Sequence, residues 1–128
     1  MSEPVWILKQ TILTLHHKQL LEHGGLHGVN EDLLESAMNR ARQKFYYSDT
    51  TLPILAAAYG YGIAKNHPFK DGNKRTALIA IRLFLMENGY DISATREEKY
   101  LTIIKLADGD LSEDALAEWI DAHLVKLA

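Results

Sequence analysis

Apolar positions along this chain read as helix after helix, separated by short polar breaks. Val5, Leu8, Ile12 and Leu15 mark one helical face and predict a first helix from about Pro4 to Glu22. Pro4 suits a first-turn position, where its missing N–H would be unpaired anyway, and His23-Gly24-Gly25 ends the helix. Asn30 is a cap for a second helix reaching about Lys44, with Glu31 and Asp32 at its positive end. Phe45 to Thr51 then reads as an extended or turn segment. Pro53 opens a third helix, Ile54 to Asn66, and a fourth runs from Asn73 to Asn88, closed by Gly89. Thr95 and Glu98 have the spacing of a capping box for a fifth, which ends near Asp108-Gly109. Ser112 caps a sixth, with Leu111 and Leu116 at the staple positions around it.

The third and fourth helices differ from the others. Ile54 to Ala64 is small and apolar on every side, and Thr76 to Met86 is nearly so. Helices apolar all round belong inside a bundle, so these two are predicted to form a central hairpin within an all-α fold. The length, 128 residues, suits one domain with one core, and no repeat, linker or low-complexity segment divides it. A net charge of −3 argues against a dedicated nucleic-acid binder, whose footprint is usually basic. The absence of cysteine excludes disulfides, thiol catalysis and cysteine-ligated zinc. The first residues carry no basic region followed by an apolar run, so no signal peptide is expected. The longest apolar stretch, within Thr76 to Met86, is broken by Arg82 and too short for a membrane span. The expected location is the cytoplasm, without membrane contact.

Chemistry concentrates in the connection between the two buried helices, Asn66-His67-Pro68-Phe69-Lys70-Asp71-Gly72-Asn73-Lys74-Arg75. Pro68 disfavours helical geometry at His67 and stops the third helix there. Phe69 is the one large apolar side chain and anchors the loop. Gly72 permits a positive backbone angle, so successive N–H groups can face one concavity. Asn73, Lys74 and Arg75 start the fourth helix, whose dipole favours an anion by roughly 0.3–1 kcal/mol. Lys74 and Arg75 add full charges, and an arginine can grip two phosphate oxygens. If the ligand is a nucleotide phosphate, Asp71 makes sense as a ligand for Mg²⁺ and His67 as a general base for an attacking hydroxyl. A polar loop that only caps the next helix stays open on these grounds.

The string His67-Pro-Phe-Lys-Asp-Gly-Asn-Lys-Arg75 resembles the Fic/Doc signature, HxFx(D/E)GN followed by Gly or Lys and then Arg. Gly24-Gly25-Leu-His-Gly28 and Leu33-Leu-Glu-Ser-Ala37 are similar to the N-terminal part of Doc-type proteins, so the resemblance covers about residues 5–125. It implies a compact six-helix bundle whose central apolar hairpin carries the active-site loop. It also implies His67 as general base, Asp71 as the Mg²⁺-binding acid, and Gly72, Asn73, Lys74 and Arg75 as the phosphate-binding turn. In this fold a short extended segment acts as a flap that aligns the target peptide, and Tyr46, Tyr47 and Ser48 are the expected flap.

Two positions depart from the AMP-transferring pattern GNGRxxR. Lys74 replaces its second glycine, and Leu78 stands where its second arginine would be. Both departures are similar to the Doc subgroup. That resemblance implies a toxin that moves the terminal phosphate of ATP to a threonine of elongation factor Tu, held in check by a Phd-like antitoxin. Arg82, nearly on the face of Arg75, is expected to be a helix-end surface charge. The self-inhibitory pattern (S/T)xxxE(G/N) fails at its last position in Ser93 to Glu98, so restraint is expected from another chain. His16, His17, His23 and His27 are expected as surface or capping residues. Gly60 and Gly62 are expected at tight helix contacts, and Trp6 and Trp119 at core or interface packing. An AMP-transferring enzyme and a non-enzymatic helical binding module remain the competing expectations.

Overall fold

The computed structural model describes residues 1–128. Six helices follow one another: α1 (Lys9–His23), α2 (Glu31–Tyr47), α3 (Leu52–Asn66), α4 (Asn73–Glu87), α5 (Arg96–Asp108) and α6 (Glu113–Ala122). The all-α expectation holds, with one small addition. β1 (Tyr90–Ile92) and β2 (Leu124–Lys126) pair antiparallel, Asp91 opposite Val125, and fasten the C-terminus behind α4.

Four helices start on side-chain caps, three of them read from the sequence and the fourth, Thr51, seen only in the structure. Asn30 Oδ1 accepts from Leu33 N–H at 3.1 Å, Thr51 Oγ1 from Ile54 at 3.5 Å, Thr95 Oγ1 from Glu98 at 3.1 Å and Ser112 Oγ from Ala115 at 3.0 Å. Such caps are each worth about 1 kcal/mol. α1 and α4 have none: Leu8 and Gly72 stand at their cap positions.

The α3–α4 hairpin occupies the centre as expected. Leu55, Ala56, Ala57, Ala58, Tyr59 and Ile63 of α3 are buried with Ala77, Ala80, Ile81, Phe84 and Leu85 of α4. α3 packs against α2, α4 and α6, so its small residues serve three interfaces at once. A Cβ on Gly62 would meet the Ala37 carbonyl oxygen of α2 at 2.8 Å, and one on Gly60 would meet Ile81 Cδ1 of α4 at 2.4 Å. These glycines mark close helix approach, as expected. Trp6 packs beside Phe84 and Phe45. At the periphery, Arg40 holds Glu113 through two bonds of 3.0 and 2.6 Å, tying α2 to α6.

Two boundaries differ from the sequence reading. The first helix begins at Lys9, not Pro4. Asn88 at the end of α4 satisfies the Val5 peptide groups, accepting from its N–H at 2.8 Å and donating to its carbonyl at 3.0 Å. With those groups already paired, the segment gains little from helical bonds. Within it Ile7 is buried, while Val5 and Leu8 are exposed. The second correction concerns Phe45-Tyr46-Tyr47, which is the last turn of α2 rather than an extended segment. Ser48 closes that helix by donating both N–H and Oγ–H to the Lys44 carbonyl.

Candidate active site

The loop between α3 and α4 is held from three sides. His67 caps α3 in the left-handed region, at φ 53° and ψ 54°, which is uncommon for a residue with a side chain. The extended segment after α1 lies along the loop. Val29 bridges Phe69 in antiparallel fashion, Asn30 N–H donates to the Pro68 carbonyl at 2.7 Å, and Lys70 N–H donates to the Gly28 carbonyl at 3.0 Å. Inside, Asn73 folds back. Its Oδ1 accepts from Phe69 N–H at 3.0 Å and its Nδ2 donates to the Phe69 carbonyl at 2.7 Å.

From beneath, α1 supplies His16. Its ring stacks on Phe69 with centroids 3.7 Å apart, and its Nε2 donates to the Asp71 carbonyl at 2.8 Å. The expectation of a surface or capping histidine is therefore corrected: His16 is buried. Burial pushes its pKa below the ordinary 6.5, outweighing the bond to Asp71. The helical period contained the signal, because His16 lies one turn after Ile12 on the buried face.

These contacts bring His67, Asp71, Gly72, Asn73, Lys74 and Arg75 around one cavity of about 270 Å³, with Lys70 and Tyr100 on its rim. His67, Lys74 and Arg75 are exposed, and Asp71 is half-buried. Asp71 Oδ2 accepts from Leu26 N–H at 2.7 Å, while Oδ1 has no protein partner. No cluster of three or more His, Cys, Asp or Glu side chains is placed to hold a metal. A hard cation that takes one carboxylate and completes its shell with phosphate oxygens and water fits Asp71. Gly72 stands at φ 84° before α4, leaving the first-turn N–H groups without a side-chain cap. Asn73 is 4% exposed, so its side chain holds the loop and only its main-chain N–H can serve an anion.

The same amide nitrogen stands 3.1 Å from His67 Nδ1. An amide N–H only donates, so Nδ1 accepts, and the neutral ring then carries its proton on Nε2. Arg82 does not reach this cavity: it holds Asp91 through bonds of 3.2 and 3.0 Å. Glu97 and Glu98 lie in the first turn of α5, as read from the sequence. A second, larger cavity of about 560 Å³ adjoins the first, and both include Arg75 and Tyr100. Its walls are largely apolar, with Leu78, Ile79, Leu101 and Ile104, and Gln19 and Arg96 also line it.

The sequence model of the Fic/DOC family matches residues 6–85. This chain belongs to the Fic/DOC family. It is of the Doc type, being 32% identical over 114 residues to "Protein kinase doc" of Escherichia phage P1, across 88% of this chain and 90% of that protein. "Toxin Doc" of Mycolicibacterium smegmatis is 37% identical over 90 residues, 65% of this chain and 68% of that one. "Protein adenylyltransferase Fic" of Drosophila pseudoobscura pseudoobscura shares 37% identity over 70 residues, 51% of this chain but 14% of that much longer protein. The family is one of protein-modifying transferases, and the kinase and adenylyltransferase relatives imply ATP as the substrate nucleotide.

Membership sharpens one correction to the expected site. Tyr46, Tyr47 and Ser48 end α2, whose other end, at Glu31, lies beside the Fic/DOC loop. Seventeen helical residues span about 25 Å, so these three sit far from His67. Tyr46 also bonds Glu3, and the helical backbone of Tyr46 and Tyr47 is not free to pair with a peptide. The extended stretch at the site is Gly24–Asn30 instead. Its glycines were visible in the sequence, but its bridge to Phe69 depends on how α1 and α2 flank the hairpin. No helix of the chain is long and apolar enough to cross a membrane.

Proposed function

We propose that this chain is the toxin of a toxin–antitoxin pair and moves the γ-phosphate of Mg·ATP to a threonine hydroxyl of elongation factor Tu, restrained by a Phd-like antitoxin. The observation that carries the choice of phosphate over AMP is Leu78. It lies one helical turn beyond Arg75, on the wall of the larger cavity. The AMP-transferring pattern has an arginine there, a second cation for phosphate. Leucine makes that place apolar, which favours a nucleobase over a phosphate tail. With the base in that cavity and the phosphates at the start of α4, the terminal phosphate lies nearest His67.

Phosphoryl transfer relies mainly on positioning and charge stabilisation. Lys74, Arg75 and the free N–H groups of the first turn of α4 supply the charge, and Asp71 orients the cation carried by ATP. The threonine oxygen forms its bond to the γ-phosphorus as the bond to the β,γ-bridging oxygen breaks, and ADP leaves. His67 takes the hydroxyl proton. In the resting geometry its Nε2 already carries one, so base catalysis uses the other tautomer and gives up the bond to Asn73. One such bond costs about 1 kcal/mol, small against the 10²–10⁴-fold that a general base typically provides.

The test is label transfer from ATP to purified elongation factor Tu with Mg²⁺, the label on either the α- or the γ-phosphate, and His67→Ala as control. Label from γ alone, lost in the variant, supports the reading. Label from α identifies AMP transfer, and none from either leaves the reading without support. A Phd-like reading frame beside this one supports the toxin–antitoxin assignment.

A further inference from the structure

We propose that Gln19 is a ligand-binding residue of this site, its side-chain amide donating a hydrogen bond to a phosphoryl oxygen of a nucleotide seated at the start of α4. The proposal rests on the phosphate-transfer reading above and adds a binding group from α1, outside the signature loop.

Three observations converge. First, Gln19 is 4% exposed, yet its Nε2 has no acceptor within the chain. A buried donor without an acceptor forfeits its hydration with nothing in exchange, and native structures keep few of them outside functional sites. Second, the orphaned atom lies directly over the α4 cap residue: a Cβ on Gly72 would fall 1.9 Å from Nε2 and 3.0 Å from Cδ. The amide can lie there only because position 72 is glycine. Gly72 gives α4 no side-chain cap, and the Gln19 amide packs against this uncapped residue. Third, Gln19 lines the larger cavity together with Arg75, which also lines the loop cavity.

The chemistry around Gln19 selects the ligand. The main-chain N–H groups, Lys74, Arg75 and the Gln19 amide are all donors. The neighbouring carboxylates are Asp71, tied through Oδ2 to Leu26, and Glu22 and Glu97, which line the larger cavity with Gln19. A surplus of buried and charged donors fits an oxyanion with several acceptor lone pairs, and a nucleotide phosphate provides them. Glutamine differs in kind from the lysine and arginine beside it. It contributes a directed, uncharged donor and so fixes orientation more than it adds attraction.

The experiment is calorimetric titration of Mg·ATP into the wild-type protein, Gln19→Leu and Gln19→Glu, with a thermal unfolding curve for each. A hydrogen bond to a charged partner accounts for roughly 10–100-fold in affinity, so Gln19→Leu is expected to raise Kd by at least tenfold. Its Tm is expected to stay level or rise, because leucine removes an unsatisfied buried donor while keeping most of the volume. Gln19→Glu puts an acceptor against the phosphate and is expected to weaken binding further. A wild-type Kd in Gln19→Leu overturns the proposal. So does affinity lost in step with Tm, or a failure of Gln19→Leu to fold, since both assign the side chain a structural role. If the wild-type protein binds no Mg·ATP, the phosphate-transfer reading falls and this proposal falls with it. Wild-type binding with an indifferent Gln19 removes the proposal alone.

Discussion

Replacing Gly72 with alanine tests the packing argument at the heart of the site. Two costs are separable. Gly72 adopts φ 84° and ψ 16°, where an L-residue is disfavoured by roughly 1–2 kcal/mol. The new methyl also meets the Gln19 amide at 1.9 Å, and Gln19 is enclosed on the buried face of α1, so it must be displaced. Overpacking of this kind costs about 1–3 kcal/mol. Gly72→Ala is therefore expected to lose about 2–5 kcal/mol, lowering Tm by on the order of 10 °C for a chain of this length. Combining it with Gln19→Ala relieves the second cost but not the first. Urea unfolding of the wild type, both single variants and the double variant closes the cycle. The two substitutions are expected to couple favourably by about 1–3 kcal/mol, leaving the backbone penalty of about 1–2 kcal/mol. Strictly additive losses would show that the amide does not occupy the space over Gly72. A loss below about 0.5 kcal/mol for Gly72→Ala alone would refute the backbone argument as well.

Other consequences can be checked independently. At position 67, with φ 53°, glycine is expected to give a more stable protein than alanine by about 1 kcal/mol, while both variants lose transfer activity; alanine matching glycine in chemical denaturation would mean that the backbone there is unstrained. Ring ¹⁵N shifts of His67 in the free protein are expected to show the Nε2–H tautomer, and the Nδ1–H form would place Asn73 wrongly. His16 has a folded-state pKa below its ordinary 6.5, so between those values the unfolded chain binds a proton that the folded one does not. Stability is then full above about pH 6.5 and declines as pH falls through the folded pKa, and His16→Gln is expected to flatten that slope in unfolding measurements across the range. Gly62→Ala is expected to destabilise more than Gly60→Ala, because the first presses on the Ala37 backbone and the second on the tip of Ile81; the reverse order of Tm values would contradict the helix approach described.

Local chemistry made much of this protein legible in its sequence. Asn30, Thr95 and Ser112 cap helices because a short polar side chain reaches an N–H three residues on, whatever else the fold does. The all-round apolar character of Ile54 to Ala64 and Thr76 to Met86 requires a buried hairpin, and the hairpin in turn puts His67, Asp71, Lys74 and Arg75 on one loop. Contacts between segments distant in the chain decided the rest. Pro4 to Leu8 stays extended because Asn88, at the far end of α4, supplies its hydrogen bonds. Phe45 to Tyr47 stays helical because Ser48 closes the turn, and Phe45 packs on Trp6. His16 and Gln19 read as ordinary polar residues of an amphipathic helix until the packing of α1 buries them under Phe69, Asp71 and Gly72. Sequence fixes what a residue can donate, accept or bury; which partner it meets across the bundle depends on a packing arrangement that no local pattern encodes.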